Sequence, residues 1–404
     1  MTRAESFAVI GLLLAAAVGH ATPASQVHGK QITLNLDFFD ICIGTDAWDM
    51  SDHRGEMERL MAAAAHYGVD RVLFRVSVCG AVCYHSKVMY VADDRSFAGR
   101  TAETLDTCVG DIPSYLPNMA KLLRETDPLA DCVELGHKYG MRVWAWLTVY
   151  DSMYYAPEGE FFHDNPQYTW VSRDGTKRIP GVPCYAYPEV REYRLRQVKE
   201  LLAYGVDGLY MSMRSHSPWP TDVSGSREYG YNEPVIEEYK RRYGSDPRDA
   251  QPDRLAQLRF VKLKGEFLKL FLRQAHGLCE ARGKKLAMNT GFGDADPLSA
   301  GRMYVPADDL CRERVVDELS VITSAAADLT RWRVLGGDQV KITTWTNIHG
   351  RTYEDSHPKF FGGLQQMLRN STTHGTCFHE MANVVYLNLW HDIPDAIAGY
   401  RAEG

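Results

Sequence analysis

The chain has 404 residues, 45% of them hydrophobic and 24% charged, which is ordinary globular composition. A net charge of −7 gives no support to a nucleic-acid partner. Beyond the amino terminus no stretch approaches the roughly 20 apolar residues needed to span a bilayer, so no membrane span is expected there.

The first residues have the pattern of a secretory signal. Arg3 is followed by an apolar run from Phe7 to Val18, then by the small residues around Gly19-His20-Ala21. Residues 1–21 are therefore set apart from the fold, and a secreted or periplasmic location is expected. Glu5 weakens the positive end and keeps an uncleaved anchor as the alternative; no cysteine follows closely enough for a lipid anchor. Of nine cysteines, Cys79 and Cys83 lie near Cys108 in one insertion, where a disulfide is plausible. Cys132 and Cys279 fall in helix patterns and read as small buried hydrophobes. The absence of a CxxC pair removes the zinc-ribbon signature, and neither a cofactor nor a metal is predicted.

From residue 30 onward, helix and strand patterns alternate. Ile32–Asp37 reads as strand one and Arg54–Tyr67 as a helix with Met57, Leu60, Met61 and Ala64 on one face. Arg71–Val78 is strand two, Met119–Tyr139 one helix, and Met141–Val149 strand three. Glu189–Tyr204 is a helix that leads into YGVDGLYMSMRSHS, where Val206–Met213 reads as a buried strand four with the abrupt polar exit Arg214, Ser215, His216, Ser217. Helical patterns follow over Glu233–Tyr243 and Arg254–Arg282. Lys285–Asn289, Val315–Thr323, Val340–Thr346 and Gly375–Glu380 supply strands five to eight, with helices at Ala325–Leu335, Pro358–Asn370 and Ile393–Arg401 between and after the last of them. A glycine separates helix from strand in HYGVDR, KYGMRV, AYGVDG and ARGKKL, as a helix C-cap requires. Eight such alternations predict an α/β fold, a (β/α)8 TIM barrel spanning residues 30–404 as one domain, with long loops after strands two, three and four. An open doubly wound sheet would want a GxGxxG after strand one; Asp37-Phe-Phe-Asp40 stands there instead.

In such a barrel the carboxyl ends of the strands meet at one mouth. Asp37, Asp151 and Glu380 are the candidate catalytic carboxylates, since glycosidic cleavage needs one acid for the leaving oxygen and a second as nucleophile or base. Arg75, Trp146, Arg214, His216, Asn289, Trp345, Asn347 and His379 are the candidate substrate contacts; indole faces suit the C–H face of a sugar ring. Arg75, flanked by Phe74 and Val76, needs a carboxylate partner, either Asp37 or the substrate. Glu318 sits early in its strand and is expected to point outward into a salt bridge. Asp207, ahead of strand four, reads as structural. The aromatic run Tyr150, Tyr154, Tyr155, Phe161, Phe162, Tyr168, Trp170 is expected to mix a satellite core with a sugar groove.

Three pieces, GMRVWAWLTVYD (Gly140–Asp151), FFHDNPQYTWVSRDG (Phe161–Gly175) and YPEVREYRLRQVKELLAYGVDGLY (Tyr187–Tyr210), carry a resemblance. The chain from about Arg54 to Val223 resembles the glycoside hydrolase-like barrels called family 10-like glycosyl hydrolases, related to the α-amylase-type barrels. That resemblance implies a carbohydrate substrate. It also implies an aspartate five residues after Asp207, where this chain has Ser212, so the family nucleophile does not carry over. Arg214 and His216 suggest an anionic group on the sugar. The leading expectation is an exported glycoside hydrolase. One alternative, motivated by Ser212, is an inactive carbohydrate-binding barrel. Another is a metal-dependent hydrolase or isomerase using His216, His349, His379 and Glu380, though strand one lacks an HxH pair.

Overall fold

In the computed structural model, eight parallel strands close into a barrel. The structure describes residues 29–38, 48–78, 80–92, 112–151, 160–213, 225–249, 253–290, 298, 303–322, 329–348, 350 and 352–403. The barrel strands are β1 (Gln31–Leu36), β2 (Arg71–Arg75), β3 (Arg142–Thr148), β4 (Gly208–Ser212), β5 (Lys285–Asn289), β6 (Glu318–Ile322), β7 (Lys341–Asn347) and β8 (Gly375–His379). Each is hydrogen-bonded to its neighbours in sequence, and β1 closes on β8 through Gln31 opposite Gly375. The helices between and after them are α1 (His53–His66), α2 (Pro128–Lys138), α3 (Pro188–Ala203), α4 (Arg254–Glu280), α5 (Ala307–Arg312), α6 (Thr330–Gly336), α7 (Tyr353–Arg369) and α8 (Asp392–Glu403).

The helix exits behave as their glycines require: Gly68, Gly140, Gly205 and Gly283 hold φ of 86°, 74°, 83° and 65°. A different glycine requirement appears at Gly208, where a Cβ would stand 2.6 Å from the Trp144 ring inside the barrel. The helix expected over Met119–Tyr139 is two helices, Ile112–Glu125 and α2. Asp127 accepts a hydrogen bond from the Ala130 amide at 3.3 Å and Pro128 occupies the first turn, so the chain restarts there.

Strand alternation sorts the barrel interior into layers. At the amino-terminal end Arg71 forms a two-pronged pair with Glu318, 2.8 and 2.7 Å, and Thr343 donates to the same carboxylate at 2.9 Å. Glu318 is 2% exposed and points inward, contrary to the outward salt bridge expected for it. As the first residue of β6 it shares the inward face of Ser320 and Ile322, and only a buried cation could satisfy it. Burial alone would push its carboxyl up; the Arg71 charge and the hydrogen bonds outweigh burial and hold it below its ordinary value. Above this pair lie Leu73, Trp144, Trp146, Tyr210, Ala287, Trp345 and Cys377, an apolar plug beneath the mouth. A larger core fills the space between strands and helices.

The amino-terminal rim has a repeating fastening. The residue just before each even-numbered strand donates its backbone N–H to the preceding strand and accepts, through its side chain, the N–H of the same residue there. Asp70 does this with Ile32, Asp207 with Val143, Asp317 with Leu286 and His374 with Ile342; the side-chain bonds are 2.8, 2.9, 2.9 and 2.9 Å. Asp207 is structural, as expected.

The segments after β2, β3 and β4 carry structure of their own. The first includes short strands at Ser77–Val78, Ala81–Val82 and Tyr90–Val91; the second a hairpin of Thr169–Val171 and Arg178–Pro183; the third the helix Glu233–Tyr243. The described members of the aromatic run make a satellite core: Tyr150, Phe162 and Trp170 are buried, and Phe161 stacks on Tyr193 at 4.2 Å. Tyr154 and Tyr155 lie outside the described residues. Cys132 and Cys279 are buried free thiols, and burial pushes the Cys279 thiol up to about 12. The Cys83 thiol donates to the Arg75 carbonyl oxygen at 3.2 Å; Cys79 and Cys108 lie outside the described residues.

Candidate active site

The mouth is built from the inward-facing residues that end the strands. On β1, Thr33 and Asn35 face the interior, and the next inward position, just past the strand, is Asp37. Arg75 ends β2 and Trp146 lies near the end of β3, with Asp151 three residues past that strand. Asn289 ends β5. Trp345 and Asn347 lie at the end of β7, and His379 ends β8 with Glu380 directly after it.

Asp37, Arg75, Asp151, His379 and Glu380 are each no more than 5% exposed. Arg75 pairs with Asp37 through Nη1, donates Nε–H to the Ser77 carbonyl oxygen at 3.0 Å, and brings Nη2 to 4.0 Å from Asp151. Its guanidinium also lies over the Trp146 ring, 5.1 Å from the centroid. The sequence requirement that Arg75 meet a carboxylate is satisfied by Asp37, so Arg75 ties together two of the three candidate carboxylates. Its 1% exposure makes it a support for Asp37 and Asp151.

At the end of β8, the neighbour of β1, His379 Nε2 stands 3.1 Å from Glu380 Oε1. The His379 ring is enclosed by Trp146 at 6.0 Å and Trp345 at 5.2 Å, and the two indoles meet edge to face at 5.6 Å. One ligand-type atom from each of Asp37, His379 and Glu380 falls within 4.8 Å of the other two. Two carboxylates and an imidazole on adjacent strand ends therefore converge on one point. They can divide acid and base roles, or they can serve as three ligands to a divalent cation.

Asn289 and Asn347 serve their surroundings in part: Asn289 Oδ1 accepts the Met213 amide at 2.6 Å, fixing the exit of β4, and Asn347 Oδ1 accepts the Trp345 indole N–H at 3.1 Å. Arg214 and His216 lie outside the described residues, as do Asp40 and His349. Ser212, in the place of the expected aspartate, is 1% exposed at the end of β4, and its carbonyl oxygen accepts the Val149 amide at 2.9 Å.

Sequence reasoning missed Asn35, which is fully buried with neither amide atom hydrogen-bonded. The signal was available, because Thr33, Asn35 and Asp37 alternate with Leu34 and Leu36 and so share one face. The Trp146 indole N–H is likewise buried without a hydrogen bond. Polar atoms thus lie directly beneath the carboxylates.

No family model matches this chain, and no curated protein matches it. Solved structures do. A GH20 exo-β-N-acetylglucosaminidase from Vibrio harveyi aligns with a TM-score of 0.52 at 10% identity over 91% of this chain and 54% of that one. An α-L-fucosidase isoenzyme from Paenibacillus thiaminolyticus aligns with 0.51 at 11% identity over 93% and 50%, and the catalytic domain of a β-amylase from Paenibacillus polymyxa with 0.51 at 9% over 90% and 94%. The chain spans about half the length of the first two. These structural neighbours are glycosidases, and at such identities the likeness is one of fold.

Proposed function

We propose that this protein is an exported glycoside hydrolase that cleaves glycosidic bonds in a poly- or oligosaccharide, with Glu380 and Asp37 as its carboxylate pair and Asp151 as the supporting acid beside Arg75. The observation that carries the reading is the convergence of Asp37 and Glu380 to within 4.8 Å, oxygen to oxygen, at the carboxyl end of the barrel. That closeness fits the shorter of the two separations used in glycoside hydrolysis, about 5–5.5 Å for a carboxylate that attacks the sugar directly, against 6.5–9.5 Å when a water must fit between. In this reading Asp37, ion-paired with Arg75, is the nucleophile. Glu380 protonates the leaving oxygen and afterwards takes a proton from the incoming water. Trp345 and Trp146 shape the sugar site, and Arg214 and His216, just past β4, meet an acidic substituent such as a uronate or sulfate. The likeness in fold to glycosidase barrels supports a carbohydrate substrate, and with Ser212 at the end of β4 the nucleophile of this reading lies elsewhere.

The same convergence favours a second reading, in which Asp37, His379 and Glu380 hold a divalent cation that polarises the bond to be broken. One screen separates the two. The purified chain is incubated with a panel of neutral and acidic polysaccharides, with and without a chelator, and released reducing ends are measured. Chelator-insensitive release supports the carboxylate mechanism. Release abolished by the chelator and restored by Zn2+ or Mn2+ supports the metal one. No release from any member would reject the hydrolase reading on those substrates, and saturable binding without release would make the chain a carbohydrate-binding barrel.

A further inference from the structure

The exit of β3 is held from outside the barrel. β3 ends at Thr148, and the Val149 amide still donates to the Ser212 carbonyl oxygen of β4 at 2.9 Å. The carbonyl oxygens of Thr148 and Val149 are taken by two side chains. Arg194, in the second turn of α3, donates Nη2–H to the Thr148 oxygen at 2.6 Å. Tyr185, just ahead of α3, donates its hydroxyl to the Val149 oxygen at 2.6 Å. Both bonds are buried.

Tyr185 is itself fixed. Its ring stacks on Phe271 of α4, with centroids 4.8 Å apart, and meets Tyr150 edge to face at 5.5 Å. Tyr150 in turn meets the Trp170 ring at 5.7 Å. The Tyr150 side chain therefore packs into the satellite core. The next residue, Asp151, comes back to the mouth, with Oδ2 4.0 Å from Arg75 Nη2. One tyrosine thus governs two successive residues, Val149 through its hydroxyl and Tyr150 through its ring. A guanidinium is costly to bury, and Arg194 spends its own on a backbone oxygen. Each residue has only two soft backbone dihedrals, so pinning the carbonyls of Thr148 and Val149 leaves little freedom to the carboxylate that follows.

We propose that Tyr185 and Arg194 are positioning residues for the mouth: by capturing the Val149 and Thr148 carbonyl oxygens they set the direction in which β3 leaves the sheet, and so hold Asp151 beside Arg75. Their effect on rate rests on the carboxylate reading of the mouth; their effect on the place of Asp151 does not.

The test has one readout that needs no activity. Aspartate labelled with carbon-13 at the carboxyl is incorporated into the full chain, and the Asp151 resonance is assigned by its loss in Asp151→Asn. Tyr185→Phe keeps the ring and removes only the hydroxyl; Arg194→Met removes the donor. Each is expected to move the Asp151 resonance, because the carboxylate shifts against the Arg75 charge. Tyr231→Phe is the control. Tyr231 is also buried and donates its hydroxyl to a backbone oxygen, that of Arg227 at 2.7 Å, but in the insertion after β4. That change is expected to leave the resonance in place. On a polysaccharide that the chain cleaves, Tyr185→Phe is expected to lower kcat by about 10–100-fold with KM within about threefold of wild type, because a displacement of about 1 Å costs on that order. In the Asp151→Asn background the same change has no further effect. Circular dichroism establishes that each variant is folded. The proposal is overturned if the Asp151 resonance is unmoved in Tyr185→Phe or in Arg194→Met, if Tyr231→Phe moves it equally, or if Tyr185→Phe leaves kcat unchanged or lowers it as much in the Asp151→Asn background. A wild-type chain that cleaves nothing removes the hydrolase reading, and the carboxyl resonance still decides whether these two side chains place Asp151.

Discussion

A guanidinium sealed inside a barrel must meet a carboxylate, and Arg71 and Arg75 meet theirs at opposite ends of the same strand. Arg71 faces Glu318 across the amino-terminal layer, where Thr343 and the Trp144 ring complete its surroundings. Removing one partner leaves the other charged and buried. We expect Glu318→Ala to cost about 3–5 kcal/mol in urea denaturation, and the double change Arg71→Met with Glu318→Leu to recover most of it, because well-packed apolar residues can replace such a pair. A double variant as unstable as the single one would mean that the pair has a role beyond charge balance. Arg75 faces the mouth, where it pairs with Asp37 and approaches Asp151. Here Arg75→Met leaves Asp37 buried without its cation and is expected to cost about 3–5 kcal/mol in urea denaturation, and under the proposed function to lower kcat as well in whatever fraction remains folded.

At the scale of elements, the paired fastening at the amino-terminal rim ties each even-numbered strand to the odd one before it. Burial would raise the Asp317 carboxyl, but hydrogen bonds from His276, Lys285 and the Leu286 amide prevail and bring it down to about 2. Its folded value lies below the unfolded one, so its contribution is fully present above about pH 4 and is lost as pH falls toward 2. Asp317→Ala is expected to cost about 1–3 kcal/mol at pH 7 and to cost progressively less as acid is added; equal cost at pH 7 and pH 2.5 would contradict the assignment. Much of this level was legible in the chain. The glycine exits gave the alternation, and all eight strands fall where apolar runs predicted them. The break at Asp127-Pro128 was missed because apolar spacing continues across it from Leu123 to Leu129, although an Asp-Pro pair is itself a helix-start signal. Glu318 was misplaced because its direction depends on where β6 begins, and boundaries follow from neighbouring strands. Asp37 with Glu380 could be named as strand ends, but their approach to one another needed the closed barrel.

Across the whole molecule, one side chain of α4 touches both the insertion after β3 and the insertion after β4. Lys264 Nζ donates to the Tyr229 carbonyl oxygen at 2.6 Å and lies 4.4 Å from the Trp170 ring centroid and 4.5 Å from that of Phe260. Burial drives its ammonium down to about 7. The unfolded chain keeps the ordinary value near 10.5, so the penalty for burying the cation is absent above that pH, grows as pH falls, and is complete below about 7. Wild-type stability should therefore gain on Lys264→Met between pH 7 and 10, by a few kcal/mol as an upper limit. Parallel curves for the two proteins over that range would show that the amine is not desolvated.

The barrel, its fastened base and its sealed arginines all serve to hold three carboxylates and an imidazole at one mouth. The most direct measurement is the turnover of the wild-type chain beside Glu380→Gln and Asp37→Asn on whichever polysaccharide the panel identifies, with circular dichroism to establish that both variants are folded. A fall of about 10²–10⁴-fold is expected for each, since under the proposed function each removes a group that moves a proton or attacks the sugar. Wild-type turnover in both variants would contradict it and remove the carboxylate pair from the chemistry.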